Sequence, residues 1–337
     1  AGLGEVALGV DALGGDGARA GTDLQAGGDR RPGFQIRQKS QRHREIVKAW
    51  VVVIANVSAD PRFPPPFFPG GLITKVDVII GGPPYQGFSI AGNIGRKFID
   101  DPRNSLFKEY ARVISIVKPS FFVMENVARL HTHNKGETRK EILATFENMG
   151  YSVECKILNS VDYGVAQERR RVIFIGSLNK DIKINFPKKI SEKQKTVKEV
   201  ISHFPPLKSG EKSSIPNHNA MSHTTQMLEK MSYLSDGGNR EQIPKNLRPK
   251  SGDVRKYIKY KSDAPSICIT GDMRKVFHYS QNRALTVREL ASIQSFPDNF
   301  IFEGKTISQQ QQVGNAVPPK MAKAIANTIK EMISKND

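Results

Sequence analysis

A doubly wound α/β domain, followed by a second and less regular domain, is the fold class this sequence predicts. Three observations carry it. From Val76 to Ile175 short apolar runs alternate with amphipathic helical stretches, the alternation that builds βαβ units. Between Gly176 and about Asn282 that regularity gives way to Lys-, Ser- and Pro-rich sequence with short apolar pieces. From Pro319 an amphipathic helix returns. At 337 residues there is room for two domains of the usual ~100–200 residues each.

In chain order, residues 1–71 hold 12 of the 28 glycines and only two lysines, and show no usable periodicity apart from the β-branched run Trp50 to Ile54. Val76-Asp77-Val78-Ile79-Ile80, closed by Gly81-Gly82-Pro83-Pro84, reads as a buried strand ending in a tight loop. Asn104 can cap a helix carrying Leu106, Phe107, Tyr110, Val113, Ile114 and Val117 at helical spacing, stopped by Lys118-Pro119. Phe121 to Met124 is the next strand. A second helix places Ile142, Leu143, Phe146 and Met149 on one face and ends at Gly150, after which Val153, Cys155 and Ile157 alternate as a strand. Val172 to Ile175 makes another. Pro319 opens a last helix with Met321, Ile325, Ile329, Met332 and Ile333 on one stripe, which should pack back on the first domain.

The charge is unusual: 51 Lys and Arg against 33 Asp and Glu leave a formal +18. Residues 1–71 contain nine basic and seven acidic residues, a net +2, so residues 72–337 carry the remaining +16. Such a surplus marks a polyanionic partner, usually nucleic acid. The stretch Arg255 to Arg283 holds seven Lys and Arg against Asp263 and Asp272, interleaved with Tyr257, Tyr260, Phe277, His278 and Tyr279. That composition suits phosphate contacts combined with stacking, with Arg255, Lys256, Lys259, Arg274 and Lys275 as candidate contacts; the bland alternative is a solvated basic face. The longest apolar run, Ala49 to Val57, is far short of the roughly 20 residues a bilayer span needs, and no secretory signal pattern opens the chain, so a cytoplasmic protein is expected. Cys155 and Cys268 cannot form a disulfide framework, and no metal-ligand spacing occurs, so no metal is expected. His131, His133, His218 and His223 read as loop histidines.

Ligands of an open α/β sheet lie outside the carboxyl ends of its strands. Three elements fall there: Gly81 to Ser89, a stiff loop projecting Tyr85; Glu125-Asn126-Val127, a carboxylate just after a strand; and Asp162 to Arg171, in which Arg169 and Arg171 alternate before a strand and should point the same way. A carboxylate and a guanidinium converging on one crevice can hydrogen-bond a planar polar ring, the carboxyl at a ring nitrogen and amine, the guanidinium at a carbonyl oxygen. A pyrimidine base fits. The alternative is a plain ion pair at a domain edge.

In order and spacing, Gly82-Pro83-Pro84, Glu125-Asn126-Val127, Gln167-x-Arg169-x-Arg171, Arg283 to Glu289 with Gln294 to Phe300, and Gly314-Asn315-Ala316-Val317-Pro318 resemble the motif series of the DNA cytosine-5 methyltransferases, from about residue 76 to 333. The resemblance implies a Rossmann-like, S-adenosyl-L-methionine-dependent methyltransferase sheet with a smaller target-recognition domain, and double-stranded DNA whose target base is swung out of the helix. It sets the expected domains at 1–71 (an atypical segment where the cofactor loop belongs), 72–180 (catalytic), 181–305 (recognition) and 306–337 (a return to the catalytic domain). Glu125 would serve ring N3 and the amine, Arg171 the O2 oxygen, with Arg169 and Gln167 in support. For the cofactor it implies Pro83, Asn315 and Val317 with a glycine turn. Ala1-Gly2-Leu3-Gly4, with Gly2 and Gly4, resembles that turn, and Asp23 to Gly28 is a second candidate.

The sequence departs from the family in its amino-terminal segment, where the cofactor loop belongs, and at one further position. There a cysteine after the Pro-Pro pair adds to C6 of the base as a thiolate; here Tyr85 stands in its place. A phenol of pKa about 10 is mostly neutral at pH 7, so impaired methyl transfer is expected. The compositional break near residue 71 coincides with the start of the resemblance, which suggests a fused or rearranged first segment. By family analogy the enzyme is the modification half of a bacterial restriction system, a monomer acting at the site of a cognate endonuclease. Alternatives are a catalytically silent DNA-binding homologue, an enzyme acting on RNA, and an amino-methyltransferase. The last carries Pro-Pro-Tyr after an Asp, Asn or Ser, where this chain has Gly82.

Overall fold

The structure, a computed structural model, describes residues 51–54, 76–83, 105–190, 193–249 and 256–335. Strands β1 (Val51–Ile54) and β2 (Val78–Gly81) pair in parallel, with Val51 opposite Val78. The β-branched run of the first segment is therefore part of the sheet. Helix α1 (Ser105–Val117) follows, burying Phe107, Tyr110, Ala111 and Ile114, which recur at i, i+3, i+4 and i+7. It stops where Lys118 takes a φ of 49° ahead of Pro119, because the residue before a proline is disfavoured in the helical region. Its expected cap, Asn104, lies outside the described residues.

Strand β3 (Phe121–Val127) then pairs in parallel with β2, and helix α2 (Glu137–Glu147) leads through Gly150, at φ 95°, into strand β4 (Ser152–Asn159). Strand β5 (Arg170–Ser177) inserts between β3 and β4 and runs antiparallel to both, so the sheet order is β1-β2-β3-β5-β4. A run such as Val172 to Ile175 is apolar whichever way the strand points, so the sequence pattern did not reveal the reversal. Its cause is the link: residues 160–169 hold only a short 3-10 turn, whereas a parallel neighbour needs a crossover of a dozen or more residues.

Beyond residue 193 elements are few and short: α3 (Val197–Ile201), α4 (Thr225–Ser232), β6 (Ile258–Lys259), β7 (Val276–Phe277), α5 (Val287–Ile293) and α6 (Thr306–Asn315). Helix α7 (Pro319–Ser334) closes the described chain. Alternate residues of β3 divide between two cores. Phe122 and Met124 pack with Ile79, Tyr110, Ile142 and Phe146 beneath α1 and α2. Phe121 and Val123 pack with Ile173, Ile175 and the Met321, Ile325, Ile329 and Met332 stripe of α7. The sheet is thus covered on both faces. Gly176 lies opposite Phe122, and a Cβ there would strike the Phe122 ring.

The irregular region has its own core, in which Val197, Ile201, Tyr260, Ile269, Leu285, Leu290, Ile293 and Phe302 meet Val313 of α6. A smaller cluster joins Met231, Leu234, Ile243 and Phe277. Every residue of α5 is buried. Its first turn is closed by a capping box between Thr286 and Glu289, and Glu289 also receives two hydrogen bonds from the buried Arg283 guanidinium, at 2.8 and 2.6 Å.

Candidate active site

The carboxyl ends of β2 and β3 and the amino end of β5 meet at one edge of the sheet. Val127 pairs with Arg171 and Glu125 with Ile173, which puts Glu125 and Arg171 diagonally on one face. Arg171 Nε lies 2.7 Å from Glu125 Oε1, and their side chains are only 13% and 19% exposed. Burial pushes the Glu125 carboxyl above the usual carboxylate range; the positive charges of Arg171 and Arg169 oppose this without cancelling it. The carboxyl thus stands beside a fixed donor, the Arg171 guanidinium. A Cβ on Gly82 would stand 3.1 Å from Glu125 Oε2, so the glycine leaves that oxygen room. Asn126 fastens the edge: its Nδ2 donates to the Pro83 carbonyl at 2.9 Å and its Oδ1 accepts from the Val127 amide at 2.9 Å.

Arg169 is 2% exposed, and the two terminal nitrogens of its guanidinium are spent on the protein itself. Nη1 donates to the Ile269 carbonyl at 3.0 Å and meets Cys268 Sγ at 3.3 Å, while Nη2 donates to the Gly314 carbonyl at 2.8 Å. Gln167 is fully buried, donating to Gln294 Oε1 at 2.7 Å and accepting from the Ile269 amide at 2.9 Å. Both side chains therefore tie the sheet to segments about a hundred or more residues away. Gln294 and Gly314 belong to the same seam and were given no role from sequence. Their motif positions were visible, but their partners were not.

Of the residues expected around a cofactor, Pro83 is buried at the end of β2, Asn315 is exposed at the end of α6, and Val317 packs in the core that includes Ile80. Gly2, Gly4, Tyr85 and Arg255 lie outside the described residues. Cys155 is half-buried beside the α1–α2 core, and burial pushes its thiol up. His218 is fully buried, its ring nitrogens meeting Thr286 Oγ1 at 2.9 Å and the Pro205 carbonyl at 3.1 Å. Among the described residues no group of three or more His, Cys, Asp or Glu side chains could hold a metal. Among the described residues no helix is long and apolar enough to cross a membrane.

The candidate DNA-contacting cations separate into three situations. Lys259 is 7% exposed, with its Nζ on Asn282 Oδ1 at 2.9 Å, and faces the interior. Lys256 and Arg274 share Asp272, at 2.6 and 2.9 Å, and these bonds hold the Asp272 carboxyl well below the usual range. Lys275 places its ammonium 5.1 Å from the centre of the Tyr257 ring. It also lines an open pocket of about 320 Å³ with Met221, Ser222, His223, Thr224, Met227 and Arg274.

A sheet covered by helices on both faces, with an antiparallel strand between β3 and β4 and a polar site at its carboxyl edge, defines a Rossmann-like α/β protein. The profile of the C-5 cytosine-specific DNA methylases matches residues 66–331, and the chain belongs to that family. It is accordingly a DNA (cytosine-5-)-methyltransferase by family, with S-adenosyl-L-methionine as methyl donor and DNA as substrate. The type II methyltransferase M1.HphI of Haemophilus parahaemolyticus is 63% identical over 258 residues, covering 77% of this chain and 69% of its own length. The type II methyltransferase M.DdeI of Desulfomicrobium norvegicum is 36% identical, covering 77% of this chain and 75% of its own. Among solved structures, a prophage-encoded protein of E. coli described as a DNA modification methyltransferase superposes with a TM-score of 0.63 at 22% identity, covering 77% of this chain and 80% of that one. That likeness speaks for the fold alone.

Proposed function

We propose that this chain is the modification enzyme of a restriction system, built to methylate C5 of cytosine within a specific double-stranded sequence, and that Tyr85 impairs its turnover. The observation that carries the site reading is the Glu125–Arg171 pair at the carboxyl edge, 2.7 Å apart beside the open Gly82. Ring N3 and the exocyclic amine of a flipped cytosine suit a carboxyl group whose proton affinity burial has raised, and O2 suits the guanidinium. Gln167 and Arg169 act as braces rather than contacts. Gly82 also weighs against an amino-methyltransferase, since a side chain there would press on Glu125 Oε2.

A cofactor is assigned, by the resemblance, to Pro83, whose carbonyl accepts from Asn126, to the exposed Asn315, and to Val317, which packs against the same core as Ile80. Bound there, S-adenosyl-L-methionine supplies an electrophilic sulfonium methyl group. On this reading 72–180 and 306–337 form the catalytic unit and 181–305 the recognition domain, although Val313 packs into the recognition core. Arg255, Lys256, Arg274 and Lys275 are assigned to the DNA face, and Lys259 to bracing it. A monomer and an endonuclease sharing the site complete the proposal.

The chain's own contribution at C6 of the base is a phenol. At pH 7 about 0.1% of a group of pKa ~10 is ionised, against about 3% of a thiol of pKa ~8.5, a roughly 30-fold deficit before oxygen's harder character is counted. The test is methyl incorporation into plasmid DNA by purified protein, compared with Tyr85→Cys. The substitution is expected to raise the rate at least about 30-fold and to permit a covalent adduct with 5-fluorocytosine DNA. Equal rates would overturn the impairment, and methyl on the exocyclic nitrogen would overturn the C5 assignment.

A further inference from the structure

Gln294, immediately after α5, is fully buried, and its amide stands where three segments cross. Its Oε1 accepts from Gln167 Nε2 at 2.7 Å; its Nε2 donates to the Val313 carbonyl and, at 3.4 Å, to that of Ala316. Gln167 Oε1 in turn accepts from the Ile269 amide at 2.9 Å. Two residues along the same backbone, Arg169 grips the same two segments through the carbonyls of Ile269, at 3.0 Å, and Gly314, at 2.8 Å. The backbones at the far side are in direct contact: a Cβ on Gly314 would stand 2.6 Å from the Thr270 carbonyl oxygen and 2.7 Å from the Gly271 nitrogen. Two residues beyond Arg169 comes Arg171, on Glu125.

Residues 167, 169 and 171 alternate along the segment that leads into β5, which begins at Arg170. Nothing in this run can shift without moving either the grip on 266–270 and 313–316 or the guanidinium at Glu125. An apolar side chain of similar volume would fill the Gln294 site; an amide with both its donor and its acceptor side engaged fixes a single register.

We propose that Gln294 is a positioning residue that couples the recognition region to the Glu125–Arg171 pair. Ordering of 266–270 by bound DNA passes through Gln167 and Gln294 to the amino end of β5, and so sets the angle at which Arg171 presents its guanidinium. The inference rests on the assignment of Glu125 and Arg171 to the target base, and it adds a residue that touches neither base nor cofactor.

Hydrogen exchange, with plasmid DNA as the probe, tests it on the full chain and on Gln294→Met and Gln167→Met. In the unmodified protein DNA is expected to slow exchange both at 266–270 and at 167–177. In each variant the slowing should persist at 266–270 and fall at least about tenfold at 167–177. A merely structural role predicts something else: faster exchange throughout, β3 included, with the response to DNA at 167–177 intact, and that result would overturn the coupling. If neither variant folds, the unmodified chain decides, because the Ile269 and Ala316 amides should open together, with protection agreeing within about threefold; a difference beyond about tenfold overturns the proposal. A DNA effect that stops at 266–270 in the unmodified chain overturns the coupling alone. No DNA effect anywhere overturns the assignment of Glu125 and Arg171 to a DNA base and the coupling with it.

Discussion

Lowering the pH from 7.5 to 5 should destabilise the protein through one imidazole. His278 is 3% exposed, and burial pushes its pKa down to about 4, with the Arg283, Lys259 and His218 charges adding to the depression and Glu289 opposing it. Its Nδ1 accepts from the Ser280 and Gln281 amides at 3.2 and 3.3 Å, which requires an unprotonated nitrogen at that position. Unfolded, the group returns to a pKa of about 6.5. Between these two values the unfolded chain holds a proton that the folded chain does not, so stability is fully present above about pH 6.5 and is lost as pH falls through 4. The full interval of about 2.5 units corresponds to about 3 kcal/mol, of which about 2 kcal/mol is gone by pH 5. Urea unfolding followed by circular dichroism at the two pH values measures it, with His278→Asn as comparator, since the Asn oxygen can accept from the same two amides. All other titrating groups are common to both proteins, so the variant should lose about 2 kcal/mol less between pH 7.5 and 5. An unchanged pH slope would refute the assignment.

Gly314→Ala forces apart backbone that the glycine lets touch, at Thr270 and Gly271. It should cost about 1–3 kcal/mol in the same urea assay, and a variant as stable as its parent would show that the approach is not tight. On DNA, Lys275→Ala should lower the slope of log affinity against log salt by about 1, as expected for one lost phosphate contact. Lys259→Ala should leave that slope unchanged and lower stability instead, because Lys259 faces Asn282; filter binding across a salt series would show both, and identical slopes for the two variants would contradict the separation.

The parts of the fold readable from sequence were those set by local periodicity. Phe121 to Met124 and Val172 to Ile175 are strands because buried apolar runs of that length read as strands, and the α7 stripe is buried as its spacing requires. The direction of β5 carries no signature in the run itself and follows from the length of the link before it. Glu125 and Arg171 were legible as a pair because both sit at strand ends on one edge. What Gln167 and Arg169 bind was not, because Ile269, Gln294 and Gly314 come from segments whose placement depends on the whole core of the irregular region. The inward turn of Lys259 escaped for a different reason: a strand of two residues is too short to show which face is buried. Nor does composition reveal that Asp272 engages two of the cations that seemed available for phosphate.

A plain ion pair at the domain edge and the proposed base-capturing pair are two accounts of Glu125 and Arg171, and the observed contact is compatible with both. Arg171 spends Nε on Glu125 and Nη1 on its neighbour's carbonyl at 2.9 Å, while Nη2 makes no hydrogen bond among the described residues. A guanidinium held at two nitrogens keeps its remaining donor in a fixed direction, so the ion pair pre-orients the group that the proposed mechanism needs at O2. On the other partner, Gly82 carries no Cβ to crowd Glu125 Oε2, and burial raises the carboxyl's proton affinity against the pull of the two nearby arginines. A pair serving stability alone would gain from the opposite arrangement, with both carboxylate oxygens engaged and the proton affinity lowered. The Glu125–Arg171 pair supplies no nucleophile, so the edge can be fit to hold a cytosine while the chain is poor at transferring a methyl group to it. Binding and turnover should therefore separate in this protein, and Tyr85→Cys should change the second without the first.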